Sequence, residues 1–196
     1  MANNVYATLT LHQGNDEVKQ WWKDLVSKMT YPEDERPSEY DFYKPIHEMF
    51  WTDIDEEFTS TRGWYIDNIG AKWCNIQDAD DEMLSTCSAW DIPEYLYERI
   101  AEEAYEVDKN AIFTVSYEDE MPNFFGSSVY FGGECFEDIR LESDDFEEYD
   151  LEFYWDEDEK GEEQPDDWEA SWEQMNNLQW DWIEEAISNI QFELDV

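Results

Sequence analysis

The clearest alternation in the chain runs from Val5 to His12, with Val5, Ala7, Leu9 and Leu11 on one side and Tyr6, Thr8 and Thr10 on the other. A period of two predicts a half-buried strand. Gly14-Asn15-Asp16 turns it, and Asn15 or Asp16 can cap a helix reaching about Met29. In that helix Val18, Trp21, Trp22, Leu25, Val26 and Met29 recur at helical spacing. From Tyr31 to Tyr43 the pattern dissolves around Pro32 and Pro37, which predicts a loop. Lys44 to Trp51 reads as a short helix with Pro45 in its first turn. Thr52 to Arg62 is irregular and acidic, and the string GWYIDNIGAKWC, Gly63 to Cys74, offers Trp64, Tyr65, Ile69 and Trp73 as anchors.

Further on, Met83 to Trp90 predicts a strand. Asp91-Ile92-Pro93 then opens a helix to about Val107, with Tyr95, Leu96, Ile100 and Ala104 on its inner face. Ala111 to Tyr117 alternates again, Phe124 to Phe131 is the next strand, Gly132-Gly133 a hairpin turn, and Cys135 to Leu141 a further strand. A last helix begins near Pro165, with Asp166, Asp167 and Glu169 favourable at its N-terminus. Trp168, Trp172, Met175 and Trp182 form a stripe on it, continued by Ile183, Ile187 and Ile190. That stripe predicts docking on the rest of the chain or on a second copy, which would make a homodimer. The order β-α-β-α-β-β predicts an α+β fold with a largely antiparallel sheet and helices on one face, close to the ferredoxin-like split βαβ arrangement.

The strings MANNVYATLTL, NIGAKWC, STCSAW before Pro93, and VSYEDE followed by FFGSSVYFGGE resemble the YubB-type ferredoxin-like domain of phages and plasmids. That family tends to show an N-terminal MANxV strand, an N-x-G-T-K-W signature, a T-x-W-x-x-P step into a helix and a Y-x-E…G…G hairpin. The resemblance covers about residues 1–140. It departs at Ala71, where Thr is usual, and at Asp91-Ile92, where a Ser-Pro step is favoured. It implies a ferredoxin-like domain over 1–141 and an origin in a mobile element. It brings no activity, because the family has no established function. Residues 142–196 form an acidic, aromatic extension ending in the amphipathic helix, expected to pack on that domain.

Charge changes the picture most. The 196 residues hold 53 Asp and Glu against 11 Lys and Arg, a formal net charge of -42. It is not confined to a tail, because 1–141 and 142–196 each carry a net charge of -21. A small domain needs a net charge of only about 2–8 for solubility. Such a field repels DNA, RNA and anionic membranes and favours a basic partner. Eleven Trp, twelve Tyr and eleven Phe supply apolar area for a core, which argues against full disorder. They also argue against salt adaptation as the whole explanation. Cys74, Cys87 and Cys135 form no CxxC pair or Cys/His cluster, so reduced thiols in a cytoplasmic protein are expected and no zinc site is. The N-terminus lacks the basic and apolar regions of a secretory signal, and no run approaches the length of a membrane span.

The densest negative stretch, Glu142 to Asp167, interleaves its acids with Phe146, Tyr149, Leu151, Phe153, Tyr154 and Trp155. It therefore has the means to fold onto something. Within it, Asp156, Asp158 and Gly161 overlap an EF-hand template, but Lys160 stands where a ligand belongs and Pro165 interrupts the loop, so no specific metal site is expected. His12 and His47 accompany no nucleophile motif, and no phosphate-binding glycine loop occurs. No catalytic residue and no cofactor are assigned, and a non-enzyme is expected.

Double-stranded DNA carries one charge per about 1.7 Å of axis, so a net charge of -42 equals the phosphates of roughly 20 base pairs. The leading expectation is a phage-type nucleic-acid mimic that blocks the basic DNA- or RNA-binding surface of a host defence protein, a restriction or CRISPR complex. The phosphate-mimicking residues expected are Asp144, Asp145, Glu147, Glu148, Asp150, Asp156, Glu157, Asp158 and Glu159. The alternative is an adaptor or antitoxin-like module acting through its fold and through Trp168, Trp172 and Trp182.

Overall fold

The computed structural model describes residues 3–39, 41–47, 62–120, 123–151, 153 and 168–194, without the side chain of Trp168. It is an α+β protein built on one six-stranded antiparallel sheet. In chain order the elements are β1 (Asn4–Gln13), α1 (Asp16–Met29), α2 (Arg62–Ile69), β2 (Cys74–Ala79), β3 (Met83–Ala89) and α3 (Glu94–Val107). They continue with β4 (Ile112–Asp119), β5 (Phe124–Phe131), β6 (Glu134–Glu142), a 3₁₀ turn (Ser143–Tyr149) and α4 (Trp168–Leu194). The strands lie in the order β2-β3-β1-β4-β5-β6.

Alternation in β1 and β4 sorts side chains onto two faces. On the first face Val5, Ala7 and Leu9 of β1 and Phe113, Val115 and Tyr117 of β4 meet α1 and α3 in the main core. α1 buries Val18, Trp22, Leu25, Val26 and Met29, and α3 buries Leu96, Tyr97, Ile100, Ala101 and Ala104. The Asn15 side chain caps α1 by accepting from the Glu17 and Val18 amides, as the turn sequence predicts. The Tyr97 hydroxyl, buried against the sheet, pairs with the Thr86 hydroxyl at 2.7 Å.

The expectation of helices on one face concerns the first 141 residues; the helix of the acidic extension takes the second face. α4 packs there, over the β4–β6 half of the sheet. Its Ile183, Ala186, Ile187 and Ile190 cluster with Ile112 and Val129. Met175 joins Phe125, Leu141 and Phe146. The physical reason is visible in β5, FFGSSVYF, which buries seven of its eight residues. A strand apolar on both faces needs cover on both.

Two further elements lie where the sequence predicts none. α2 occupies Arg62–Ile69, and β2 is an edge strand pairing with β3, its register shifted between Ile76 and Asp78. With β2 included, the order of elements through β4 is β-α-α-β-β-α-β rather than the simpler alternation expected. The strings NIGAKWC and STCSAW, well separated in the chain, are neighbours in space. The Ala89 amide donates to the Trp73 carbonyl at 3.1 Å, and the Lys72 amine lies 5.6 Å from the Trp90 ring centroid. Gly70 (φ 92°) is needed at this junction, because a Cβ there would sit 2.9 Å from Glu94 Cγ.

Candidate partner-binding surface

The acidic surface starts from one buried ring. In the turn Ser143–Tyr149, Phe146 is buried, with its ring centroid 5.6 Å from that of Phe125 on β5 and 5.4 Å from that of Phe153. The Ser143 amide donates to the Asn123 carbonyl, and the Leu151 amide donates to the Phe146 carbonyl. Asp150 closes the turn in the left-handed region at φ 55°, where Asp is one of the few side chains tolerated. Leu151 and Phe153 are buried beyond it. One inward Phe and two flanking anchors therefore leave Asp144, Asp145, Glu147, Glu148 and Asp150 exposed on a fixed backbone.

α4 lies against this turn. The Phe153 ring meets Trp172 edge-on at 5.3 Å, and Trp182 stacks on Phe125 at 5.8 Å and 15°. Phe146, Phe153 and Met175 share one cluster. The outward positions of α4 include the exposed Glu169, Glu173, Asp181, Glu184 and Glu185. Anions of the turn and of the helix thus project from two elements joined by a common core.

The ion pairs among the described residues use Lys23, Arg99, Lys109 and Arg140 as cations, and none involves residues 144–150. Arg140 pairs instead with Asp91 and Glu142, and lies over the Phe124 ring at 3.6 Å. The carboxylates of the turn are therefore not neutralised by a protein cation among the described residues.

Of the residues predicted for this surface, Asp156, Glu157, Asp158 and Glu159 lie outside the described residues, as does the near-EF-hand segment they begin. Among the described residues no cluster of three or more His, Cys, Asp or Glu is placed to hold a metal ion, and no helix is long and apolar enough to cross a membrane. Trp172 and Trp182 are half-buried against the sheet-side rings. The row of α4 that faces the sheet is Ser171, Met175, Gln179, Ile183, Ala186, Ile187 and Ile190.

Gln179 is the residue that pattern reading passes over. It is buried, and its amide nitrogen donates to the carbonyls of Tyr117 and Gly126, both at 2.9 Å. Those two residues face each other across β4 and β5. A polar side chain inside an apolar stripe is the only sequence signal for this lock.

A second acidic neighbourhood lies where β4 ends. Asp119 is fully buried and accepts from the side-chain amides of Asn3 at 2.6 Å and Asn123 at 2.7 Å. Glu120 accepts from the Asn4 amide at 2.7 Å. Burial pushes the Glu118 carboxyl up to about 7. On α3, burial and then the nearby Asp91 and Glu98 push the Glu94 carboxyl up as well.

Comparison of the chain with protein-family models, curated proteins and solved structures finds no match.

Proposed function

We propose that this protein is an acidic nucleic-acid mimic that occupies the basic DNA- or RNA-binding surface of a host defence protein, a restriction or CRISPR complex. One observation carries the reading. Asp144, Asp145, Glu147, Glu148 and Asp150 are exposed, have no cation partner among the described residues, and sit on a turn fixed by the buried Phe146. A solvated acidic tail would not need that anchor. Fixed anions cost less conformational entropy when a cationic cleft closes on them than anions on a free chain do. The whole-chain charge of -42 adds long-range attraction to such a cleft, and counterion release supplies the salt-sensitive part of the affinity.

The strand order β2-β3-β1-β4, with α1 and α3 on one face, supports reading the first 141 residues as a ferredoxin-like split βαβ unit extended by the β5–β6 hairpin. The sequence resemblance to the YubB-type domain supports an origin in a phage or plasmid, and so action in the host cytoplasm. The adaptor alternative, which relies on Trp168, Trp172 and Trp182, is less favoured. Trp172 and Trp182 already pack on Phe153 and Phe125, so less of their surface is left for a partner.

The test is capture of host proteins from a bacterial lysate by the full chain at about 50 and 200 mM salt, a range across which phosphate-like contacts lose most of their affinity. A nucleic-acid-binding protein retained at low salt and released at high salt is the expected result. Retention of that protein by a chain carrying Asp144→Asn, Asp145→Asn, Glu147→Gln, Glu148→Gln and Asp150→Asn, equal to that by the native chain, would overturn the assignment of the surface.

A further inference from the structure

Among the described residues, the second face of the sheet is covered only over β4–β6. Beside the middle of α4, a groove of about 310 Å³ opens between that helix and strands β1 and β4. Its floor is a square of four hydroxyls: Thr8 faces Ser116, and Thr10 faces Thr114, across the β1–β4 ladder. Its wall is α4, which contributes Asn176, Asn177 and Trp180, the last 56% exposed.

Two properties set this groove apart. None of its lining side chains is charged, in a chain where one residue in three is. Among the described residues, the side chains of Thr8, Thr10, Thr114, Ser116, Asn176 and Asn177 also form no hydrogen bond with the protein. Gln179, whose amide is committed to Tyr117 and Gly126, closes the inner end.

We propose that this groove binds an uncharged saccharide. Hydroxyls and carboxamides both donate and accept. Six of them together match a ligand whose own groups do both, which is the character of sugar hydroxyls. The exposed Trp180 ring offers the apolar face on which the C–H side of a sugar ring rests. A volume of about 310 Å³ lies at the small end of ligand pockets, suited to one or two rings. An anionic ligand would meet no cation in the lining and the repulsion of the whole chain. A cationic one would find no carboxylate in the lining to pair with. The site is independent of the acidic surface proposed above.

The test is an amide NMR titration of the isotopically labelled full chain with glucose, N-acetylglucosamine and maltose, each to about 50 mM, which detects millimolar Kd values. Progressive shifts confined to Thr8, Thr10, Thr114, Ser116 and the Asn176–Trp180 turn are expected with at least one sugar. Trp180→Ala should weaken that binding by about tenfold, the scale of one lost aromatic contact, and Asn176→Ala should weaken it less. Both positions are exposed, so each variant should keep the remaining amide spectrum. Absence of shifts with all three sugars would overturn the proposal, as would shifts that both variants leave unchanged. Shifts of the same amides on concentrating the protein alone would assign the groove to a second copy and overturn it equally.

Discussion

The turn at 144–150 and the strand end at 118–120 are built from the same two acids and handle them in opposite ways. At the strand end, charge is satisfied within the protein: buried Asp119 has two Asn amides, exposed Glu120 has one, and half-buried Glu118 is pushed towards neutrality by burial. On the turn, Phe146 goes inward and every carboxylate goes out, with no cation beside it among the described residues. Buried carboxylates without partners are costly, so acids inside a fold are tied down or protonated. Exposed ones cost the fold little individually and are free to serve a partner. The contrast separates acids that hold this protein together from acids that it presents.

The largest effect should come from the anchor. Phe146→Ala removes a ring packed on Phe125 and Phe153 and should cost about 3–5 kcal/mol in denaturant unfolding, as large-to-small core changes do. If the turn were merely draped over the sheet, the cost would be well under 1 kcal/mol, in the surface range.

Glu118→Gln should come next, and its effect depends on pH. The folded carboxyl titrates near 7 against a reference of 4.5, so the folded state binds the proton more tightly than the unfolded state. Stability linked to Glu118 is therefore complete below about 4.5 and is lost as pH rises through about 7. The glutamine variant should gain up to about 3 kcal/mol over the native chain at pH 8 and little at pH 4. Parallel stability curves for the two proteins across that range would contradict the burial of this group.

Asp119→Ala removes a buried carboxylate that accepts from the Asn3 and Asn123 side-chain amides and should cost about 2–3 kcal/mol in thermal or chemical unfolding. Gln179→Leu removes the lock on the Tyr117 and Gly126 carbonyls and should cost about 1 kcal/mol, since those carbonyls keep their places in the ladder. The smallest effect on stability belongs to the acids of the turn. Neutralising any one of Asp144, Asp145, Glu147, Glu148 or Asp150 should change unfolding by no more than about 0.5 kcal/mol, while binding to a cationic partner falls.

Much of this architecture was legible because its signals are periodic. β1 and β4 carry an alternation, α1, α3 and α4 a helical stripe, β3, β5 and β6 are short runs bounded by turn residues, and the Asn15 cap is local chemistry. β2 was not legible: CNIQDA buries only Cys74 and Ile76, and a register shift breaks its alternation. α2 has no uniform apolar face and buries only Ile69. That α4 crosses to the second face was implicit in β5, whose apolar residues occupy both faces, against β1, whose Tyr6, Thr8 and Thr10 keep its second face polar. Individual acids of the turn could be named from composition. Their anchoring by Phe146 could not, because an apolar residue in a run of acids gives no sign of which way it points.

The claim that rests on most of this is that the turn presents charge as phosphates do. It is tested most directly by displacement of fluorescent duplex DNA from restriction and CRISPR effector complexes by the native chain and by the variant with all five turn acids neutralised. The account predicts that the native chain displaces DNA from at least one complex. Displacement should weaken as salt rises from about 50 to 200 mM, and the variant should need at least about tenfold more protein, equivalent to 1.4 kcal/mol. Equal displacement by the two proteins, or displacement indifferent to salt, would contradict it.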